Sequence, residues 1–422
     1  MIIKNFSQLA TTPARWDALK IAEAGYKAIQ VDQLVAQHLN KHQHTIIIGQ
    51  HHYVLDSYEH VYVVGVGKGS AQAAQTVENL IGAEHIDDGC VIDISKRPMK
   101  KIKSMVGTHP LPSQQNIRAT DKVVEILERA TSKDLVIAII CGGGSALFCR
   151  PGQLTCLELQ FISTMLLRAG ATIGEINTVR KHASQIHGGF MAKYAYPATV
   201  LSLVISDVPG NDIQMVASGP TVYDTTTKVQ AAAIAKRYGL PPLDLVETPK
   251  DHRFFKKVRN VIIASGEVAV DAMATEAKRL GYDPRIFSRA LTGYASERGR
   301  ELAAKVRPGQ ALLACGETEV IVTKTGKGGR NQDMALSAVP LLAPDSAMVA
   351  AASDGKDNLP VAGAVTDGMQ TRKRLRLKRI NPASSVINND SYEALKAAGD
   401  HLQIRKVTAN VSDFVVVVRR PK

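Results

Sequence analysis

Six short polar loops each follow an apolar run in this chain of 422 residues: GVGKGS (65–70), CGGGSA (141–146), SDVPGND (206–212), CGETE (315–319), GKGGRNQ (326–332) and SDGKD (353–357). Their residue types suit anion handling. In CGGGSA, Gly142, Gly143 and Gly144 let backbone N–H groups converge on one point with no Cβ in the way, and Ser145 adds a hydroxyl. Cys141 closes the apolar run LVIAII and reads as a small buried residue, with no family signature beside it to make it a nucleophile. A nucleophile elbow needs GxSxG, but position 147 is Leu147, which disfavours a serine hydrolase. The preferred reading is an anion cradle, weighed against a tight structural turn.

GVGKGS is not a P-loop, because Tyr62 and Gly69 stand where that motif requires glycine and Ser or Thr; Ser70 likewise breaks GxGxxG. Lys68 still falls at a strand end and helix start, where it can bind phosphate; the bland alternative is an exposed lysine in a turn. Arg330 follows two glycines and precedes a helix, a good position for an oxyanion clamp. Asp207, Glu317 and Asp354 each end an apolar run, where a carboxylate can meet Mg²⁺ or a hydroxyl proton, although one alone is more often a cap or turn former. Taken with Lys68, Lys181 and Arg330, the three favour phosphoryl transfer, which needs cations on the moving group and a carboxylate near the metal or acceptor. His182 and His187 read as packing or exposed side chains, for want of a third metal ligand.

The elements that must position these loops alternate in a β-α-β-α rhythm. VYVVGVG, CVIDI, LVIAII, TVLSLVIS and VIIASGE read as strands, with helices such as SAQAAQTVENLI (70–81) and NIRATDKVVEILERA (116–130) between them. Residues 14–40 read as helical after Thr12-Pro13. ALLACGETEVIVTKTGKGGRN reads as two strands joined near Gly316, and AMVAAAS and DFVVVV as further strands. The fold class expected is α/β: a doubly wound, Rossmann-like N-terminal domain over residues 1–240 and a smaller α/β domain over 310–422. Between them, 241–309 would hold a linker or excursion, rich in proline and charge over 237–259, and one strand-helix unit, with part of 241–305 open to recruitment by the N-terminal domain.

Lys plus Arg is 52 against 39 for Asp plus Glu, a net charge of +13, which suits an anionic substrate or nucleic acid or is simply a solvated basic surface. The densest run, TRKRLRLKR (371–379), lacks interleaved aromatics and reads as the exposed face of a helix, so nucleic acid is disfavoured. Five cysteines with no CxxC pair argue against a disulfide framework or structural zinc. No signal peptide and no membrane span are expected, which places the chain in the cytoplasm. Oligomeric state stays open, a homo-oligomer included.

Together the motifs resemble the class II glycerate 2-kinases, whose C-terminal part is the MOFRL domain. RWDALKIAEAGYKAI, GVGKGS, THPLP, CGGGSAL, INTVRKHASQIHGG, ISDVPGNDIQMVASGPT, GETEV, GGRNQ, SDGKD, AGAVTDG and NNDSYEAL match in number and order across nearly the whole chain. The resemblance implies an ATP- and Mg²⁺-dependent kinase of the 2-hydroxyl of D-glycerate or a related small hydroxy acid, with its site between two α/β domains. It makes Lys68 and Arg330 the catalytic cations. Gly142, Gly143, Gly144, Ser145, Lys181, Asp207, Glu317 and Asn331 become nucleotide contacts, and Asp207 and Asp354 metal ligands. Three stretches depart from the family pattern: Ser113 replaces an acidic residue after HPxP, Asn358 to Val361 replace Gly-Pro-Thr-Asp, and KVTANV (406–411) keeps Thr408, Asn410 and the following Asp413 but loses the glycines. The rival readings are a non-catalytic anion- or nucleic-acid-binding protein on the same fold, and a hydroxypyruvate reductase, for which no dinucleotide fingerprint is present.

Overall fold

The computed structural model describes residues 1–405 and 409–421. Thr408 therefore lies outside the described residues. The chain forms two compact units, one of Val31–Ala264 and the other of Met1–Gln30 with Ser265–Lys422. The division falls neither at 240 nor at 310, and the second unit is discontinuous in sequence.

In the first unit a hairpin sheet, β1 (Asn40–His42), β2 (Thr45–Ile48) and β3 (His51–Val54), precedes the main strands. These are β4 (Val61–Val66), β5 (Asp88–Asp93), β6 (Ile102–Val106), β7 (Leu135–Cys141), β8 (Thr199–Ile205) and β9 (Val258–Ala264). They pair in the order β6-β5-β4-β7-β8-β9, every pair parallel. Strands β4 and β7 are buried along their whole length, which is why they read as unbroken apolar runs: helices cover both faces. One face, with Val64, Val66, Ile92, Ala138 and Ile140, packs against Val123, Ile126 and Leu127 of helix Gln114–Glu128. Helix Ser70–Ile81 packs against β4, β5 and β7, burying Ala73, Ala74 and Val77.

Of the two readings of 237–259, linker or excursion, the structure has the excursion, within this unit. Leu245 is buried, the Val246 N–H donates to the His182 carbonyl, the Thr248 hydroxyl donates to Asp224, and β9 is the sheet's sixth strand. The excursion is rich in proline and surface charge and is anchored at a few buried points.

The other unit carries β10 (Asp283–Leu291), β11 (Gln310–Gly316), β12 (Ser346–Ala352), β13 (Gly363–Asp367), β14 (His401–Leu402) and β15 (Asp413–Arg419). Their order is β10-β11-β15-β12-β13-β14; β10 and β11 are parallel, and the remaining pairs antiparallel. No second strand follows β11: Ile321 and Val322 are exposed, and the Thr323 and Lys324 N–H groups donate to the Asn389 side chain. The expected helix over 14–40 is two helices, Pro13–Ala28 and Val31–His38. The first packs on β12, β15 and helix Gly266–Arg279 and is held by Arg15, which is fully buried and ion-paired to Asp367 at 3.1 Å and Asp400 at 2.7 Å. The basic run forms helix Gln370–Leu377, with Thr371 and Leu375 buried and most of its lysines and arginines outward.

Candidate functional site

The order β6-β5-β4-β7-β8-β9 reverses direction between β4 and β7, so the loops leaving those two strands border the crevice where open α/β sheets bind ligands. The Lys68 N–H donates to the Gly142 carbonyl at 2.9 Å, tying GVGKGS to CGGGSA. Asp93, at the end of β5, accepts from the Gly69 and Ala71 N–H groups at 3.0 and 3.1 Å and braces the turn from below. Gly67 has φ +108, and a Cβ there would come within 2.3 Å of the Cys141 carbonyl oxygen. Only glycine permits the two strand ends to approach this closely.

Within the triple glycine, a Cβ on Gly142 would lie 2.3 Å from Asp207 Oδ2, and one on Gly144 would lie 2.5 Å from the Ala217 Cβ. Gly143 has φ +76 and sits beside His109 and the Lys68 side chain. Lys68, the three glycines and Asp207 thus come together at the ends of β4, β7 and β8. Ser145 Oγ lies 2.8 Å from Ser218 Oγ, and Ser218 donates to Asn177 Oδ1 at 2.8 Å. Ala217 and Ser218 both hold left-handed backbone, φ +49 and +57, a costly geometry of the kind that clusters at working sites. Cys141 is fully buried, and burial pushes its thiol well above the usual range. Among the alternatives for this stretch, the geometry suits a glycine cradle and gives no thiolate.

Lys181 does not join this group. It is buried and ion-paired to Asp224 at 3.2 Å, and Asp224 also accepts from Thr226 and Thr248. Its role in this fold is to hold the 224–248 excursion. Ser113 caps helix Gln114–Glu128, its hydroxyl accepting from the Gln115 N–H at 3.3 Å.

In the other unit the antiparallel register is decisive. Asp413, first residue of β15, pairs with Gly316 at the end of β11 and Ala352 at the end of β12. Glu317 and Ser353-Asp354 follow those two strand ends, so Asp413, Glu317 and Asp354 share one end of the sheet. Arg330 starts helix Arg330–Ala338 and donates to all but the last of them: Nε to Asp413 Oδ2 at 2.5 Å, Nη2 to Asp413 Oδ1 at 3.2 Å and Nη1 to Glu317 Oε1 at 2.5 Å. Burial pushes the Asp413 carboxyl up to about 6 while Arg330 pulls it back. Burial opposes the Arg330 charge, but Asp413 and then Glu317 more than offset it. Asp357 stands at the same helix start, accepting from the Asn331 N–H at 3.1 Å, the Asn331 amide at 3.3 Å, the Gln332 N–H at 2.9 Å and the Gln332 amide at 3.0 Å. Asn331 is fully buried and serves this cap. Asn358, with φ +63, bonds from its amide to the Gly328 carbonyl at 3.0 Å and fixes the glycine-rich loop.

Asp357 and Asp413 were not singled out from sequence as site residues. SDGKD offers two carboxylates with nothing local to rank them. Asp413 opens an apolar run, a signal available in sequence, but its neighbours depend on pairings with β11 and β12.

The residues present fit a magnesium nucleotide in donor chemistry. Asp207 in the Val31–Ala264 unit, and Asp354 and Glu317 in the other unit, are carboxylates that follow strand ends and are not fully buried; Mg²⁺ commonly takes one or two carboxylates and leaves the rest to water and phosphate. Among the described residues, the His/Cys/Asp/Glu set with metal-compatible spacing is His44, Asp56 and His85, which includes none of these.

Residues 17–249 match the family model described as a domain of unknown function, DUF4147, and residues 310–413 match the MOFRL family. A glycerate 2-kinase of Pyrococcus horikoshii is 36% identical over 391 residues, covering 85% of this chain and 87% of that protein. An Agrobacterium vitis protein, named provisionally as a hydroxypyruvate reductase, is 34% identical over 84% of this chain and 86% of its own. The crystal structure of a glycerate kinase from Thermotoga maritima superposes with a TM-score of 0.84 at 31% identity, covering 96% of this chain and 98% of that one. Among the described residues, no helix is long and apolar enough to cross a membrane.

Proposed function

The chain belongs to the glycerate 2-kinase family of DUF4147 and MOFRL domains, and on that premise we propose that it transfers the γ-phosphoryl group of ATP to the 2-hydroxyl of D-glycerate. The observation that carries the reading is the convergence of Lys68, Gly142–Gly144 and Asp207 at the reversal point of the parallel sheet. Backbone N–H groups of the glycine loop and the Lys68 ammonium bind phosphate oxygens, and need no rearrangement as charge builds there. The acceptor oxygen forms a bond to the γ-phosphorus while the bond from that phosphorus to the β,γ-bridging oxygen breaks. Asp207 takes the hydroxyl proton. Arg330, held by Asp413 and Glu317, presents a fixed guanidinium to an anionic oxygen. Mg²⁺ would neutralise phosphate charge when bound, and Asp207 and Asp354 are the candidate carboxylates for it, each in its own unit. Lys181 and Asn331 act on the site through the elements they brace.

The test is a coupled assay of ADP release with D-glycerate, and phosphorus NMR of the product. The expected product is 2-phosphoglycerate. ATP-independent consumption of NADH with hydroxypyruvate, and no ADP release with D-glycerate, would favour the reductase instead.

A further inference from the structure

A cavity of about 80 Å³ lies beside the glycine loop, and Ser145, Phe148, Ile162 and Leu166 are among the residues that line it. Two basic side chains face it, Arg180 and His187. The motif INTVRKHASQIHGG supplies both. His187 is buried, and neither Nδ1 nor Nε2 has a hydrogen-bond partner. Burial, with the charges of Arg180 and Lys181, pushes its ring down to about 3, so it is neutral, with one donor and one acceptor unused. Arg180 donates from Nη1 to Asn177 Oδ1 at 3.0 Å and makes no ion pair among the described residues. Buried polar groups in folded proteins nearly always have partners. An unpartnered ring and an unpaired guanidinium on one small cavity therefore mark a place where a ligand supplies the missing groups.

Size and charge narrow the ligand. A water needs roughly 10–15 Å³ of this kind of volume, so the cavity takes about six small groups, far fewer than a nucleoside. A guanidinium matches a planar carboxylate through two parallel hydrogen bonds, and the apolar walls suit a short carbon chain. We propose that this cavity seats the carboxylate of the acceptor hydroxy acid, with Arg180 pairing to it and His187 hydrogen-bonding it, which places the rest of a three-carbon acid beside Ser145. The proposal rests on the kinase reading above for the identity of the acid, and not for the existence of the site. Arg180 and His187 would then set specificity for small α-hydroxy acids over uncharged alcohols.

The test uses the full chain and separates the two ideas. Calorimetry with D-glycerate, and with D-lactate as a second carboxylate probe, reads binding without turnover; steady-state kinetics reads the Michaelis constants for acid and ATP separately. Arg180→Gln is expected to raise the D-glycerate constant roughly tenfold to a hundredfold, the loss typical of a charge-assisted hydrogen bond, and to leave that for ATP within about twofold. Arg180→Lys should recover only part. Ser163→Phe, from a half-buried position on the cavity wall, should give the same pattern by filling it, and keeps the test open if the arginine variants fold poorly. D-glycerate binding that Arg180→Gln abolishes, in a protein that does not release ADP, would support the carboxylate site and remove the kinase reading. Turnover by the wild type with an unchanged D-glycerate constant in a folded Arg180→Gln or Ser163→Phe variant would overturn the site and leave the kinase reading standing.

Discussion

Arg330 and Asp413 form a lopsided ion pair: the carboxylate is buried, with its side chain 5% exposed, whereas the guanidinium side chain is 32% exposed. Breaking the pair from either side therefore has different costs. Arg330→Gln strands a buried charge, and we expect a loss of about 3 kcal/mol, the low end for a broken buried pair. The loss should depend on pH. Burial holds the folded Asp413 pKa up to about 6, above its unfolded value near 3.9, so the carboxyl's favourable protonated state is complete below about pH 4 and is lost as pH rises through 6. Without Arg330 the folded value rises further. The gap in melting temperature between wild type and Arg330→Gln should be small at pH 4.5 and widen by pH 8; a gap that stays constant would mean that Asp413 is charged, or solvated, throughout.

Asp333 offers a cleaner case of the same sign. It is buried on helix Arg330–Ala338, and burial, with the negative charge of Asp357, pushes its carboxyl up to about 6. Between pH 4 and 6 the unfolded chain releases a proton that the folded chain keeps, so stability falls over that window and then levels off. Asp333→Asn should remove this slope and be more stable by about 2–3 kcal/mol at pH 8, with little difference at pH 4. Urea unfolding at the two pH values measures it.

Much of this site was legible as strings and little of it as distances. Strands β4, β7 and β8 announced themselves by apolar runs ending in glycine or Asp, so Lys68, Gly142–Gly144 and Asp207 could be named and the parallel order makes them neighbours. Arg330 was legible for a similar reason, two glycines before a helix. What failed depends on tertiary pairing. Lys181 and His187 lie in one polar segment whose pattern carries no hint that one lysine meets Asp224 and one histidine faces a cavity. Asp413 acquires its meaning from antiparallel register with two strands far upstream. The first thirty residues pack with the C-terminal unit because Arg15 is buried against Asp367 and Asp400, carboxylates more than three hundred positions away, and nothing local in RWDALK announces that.

That burial makes Arg15 a stability residue and not a surface charge. Arg15→Ala leaves buried Asp367 without its cation and Asp400 with Arg374 alone, 3.2 Å away, at an expected cost of about 3 kcal/mol. Arg15→Met, which keeps volume, should still cost most of that, because the carboxylates remain. A melt of either variant within about 1 °C of wild type would show that the N-terminal helix is not held by this cluster.

The CGGGSA loop gives the sharpest contrast between two positions, three residues apart. Cys141 is buried beneath Gly67, with its thiol pushed far above neutrality, so Cys141→Ala should lose about 1 kcal/mol of stability through a small cavity and keep turnover within about twofold. Gly144→Ala adds one carbon where the Ala217 Cβ stands 2.5 Å away, so the glycine loop or the strained 216–218 turn must shift. Misplacement of a preorganised site by such a shift typically costs about a hundredfold in rate. Lys68→Ala and Arg330→Lys should each lower kcat by about 10²–10³, since an ammonium cannot reproduce the two-pronged guanidinium contact and Lys68 is the lysine beside the glycine loop. Steady-state kinetics beside circular dichroism melts separate these effects from unfolding. A Cys141→Ala protein that folds and does not turn over would make the thiol the working group. Folded Lys68→Ala and Arg330→Lys proteins with near wild-type kcat would place phosphoryl transfer somewhere other than at these two residues.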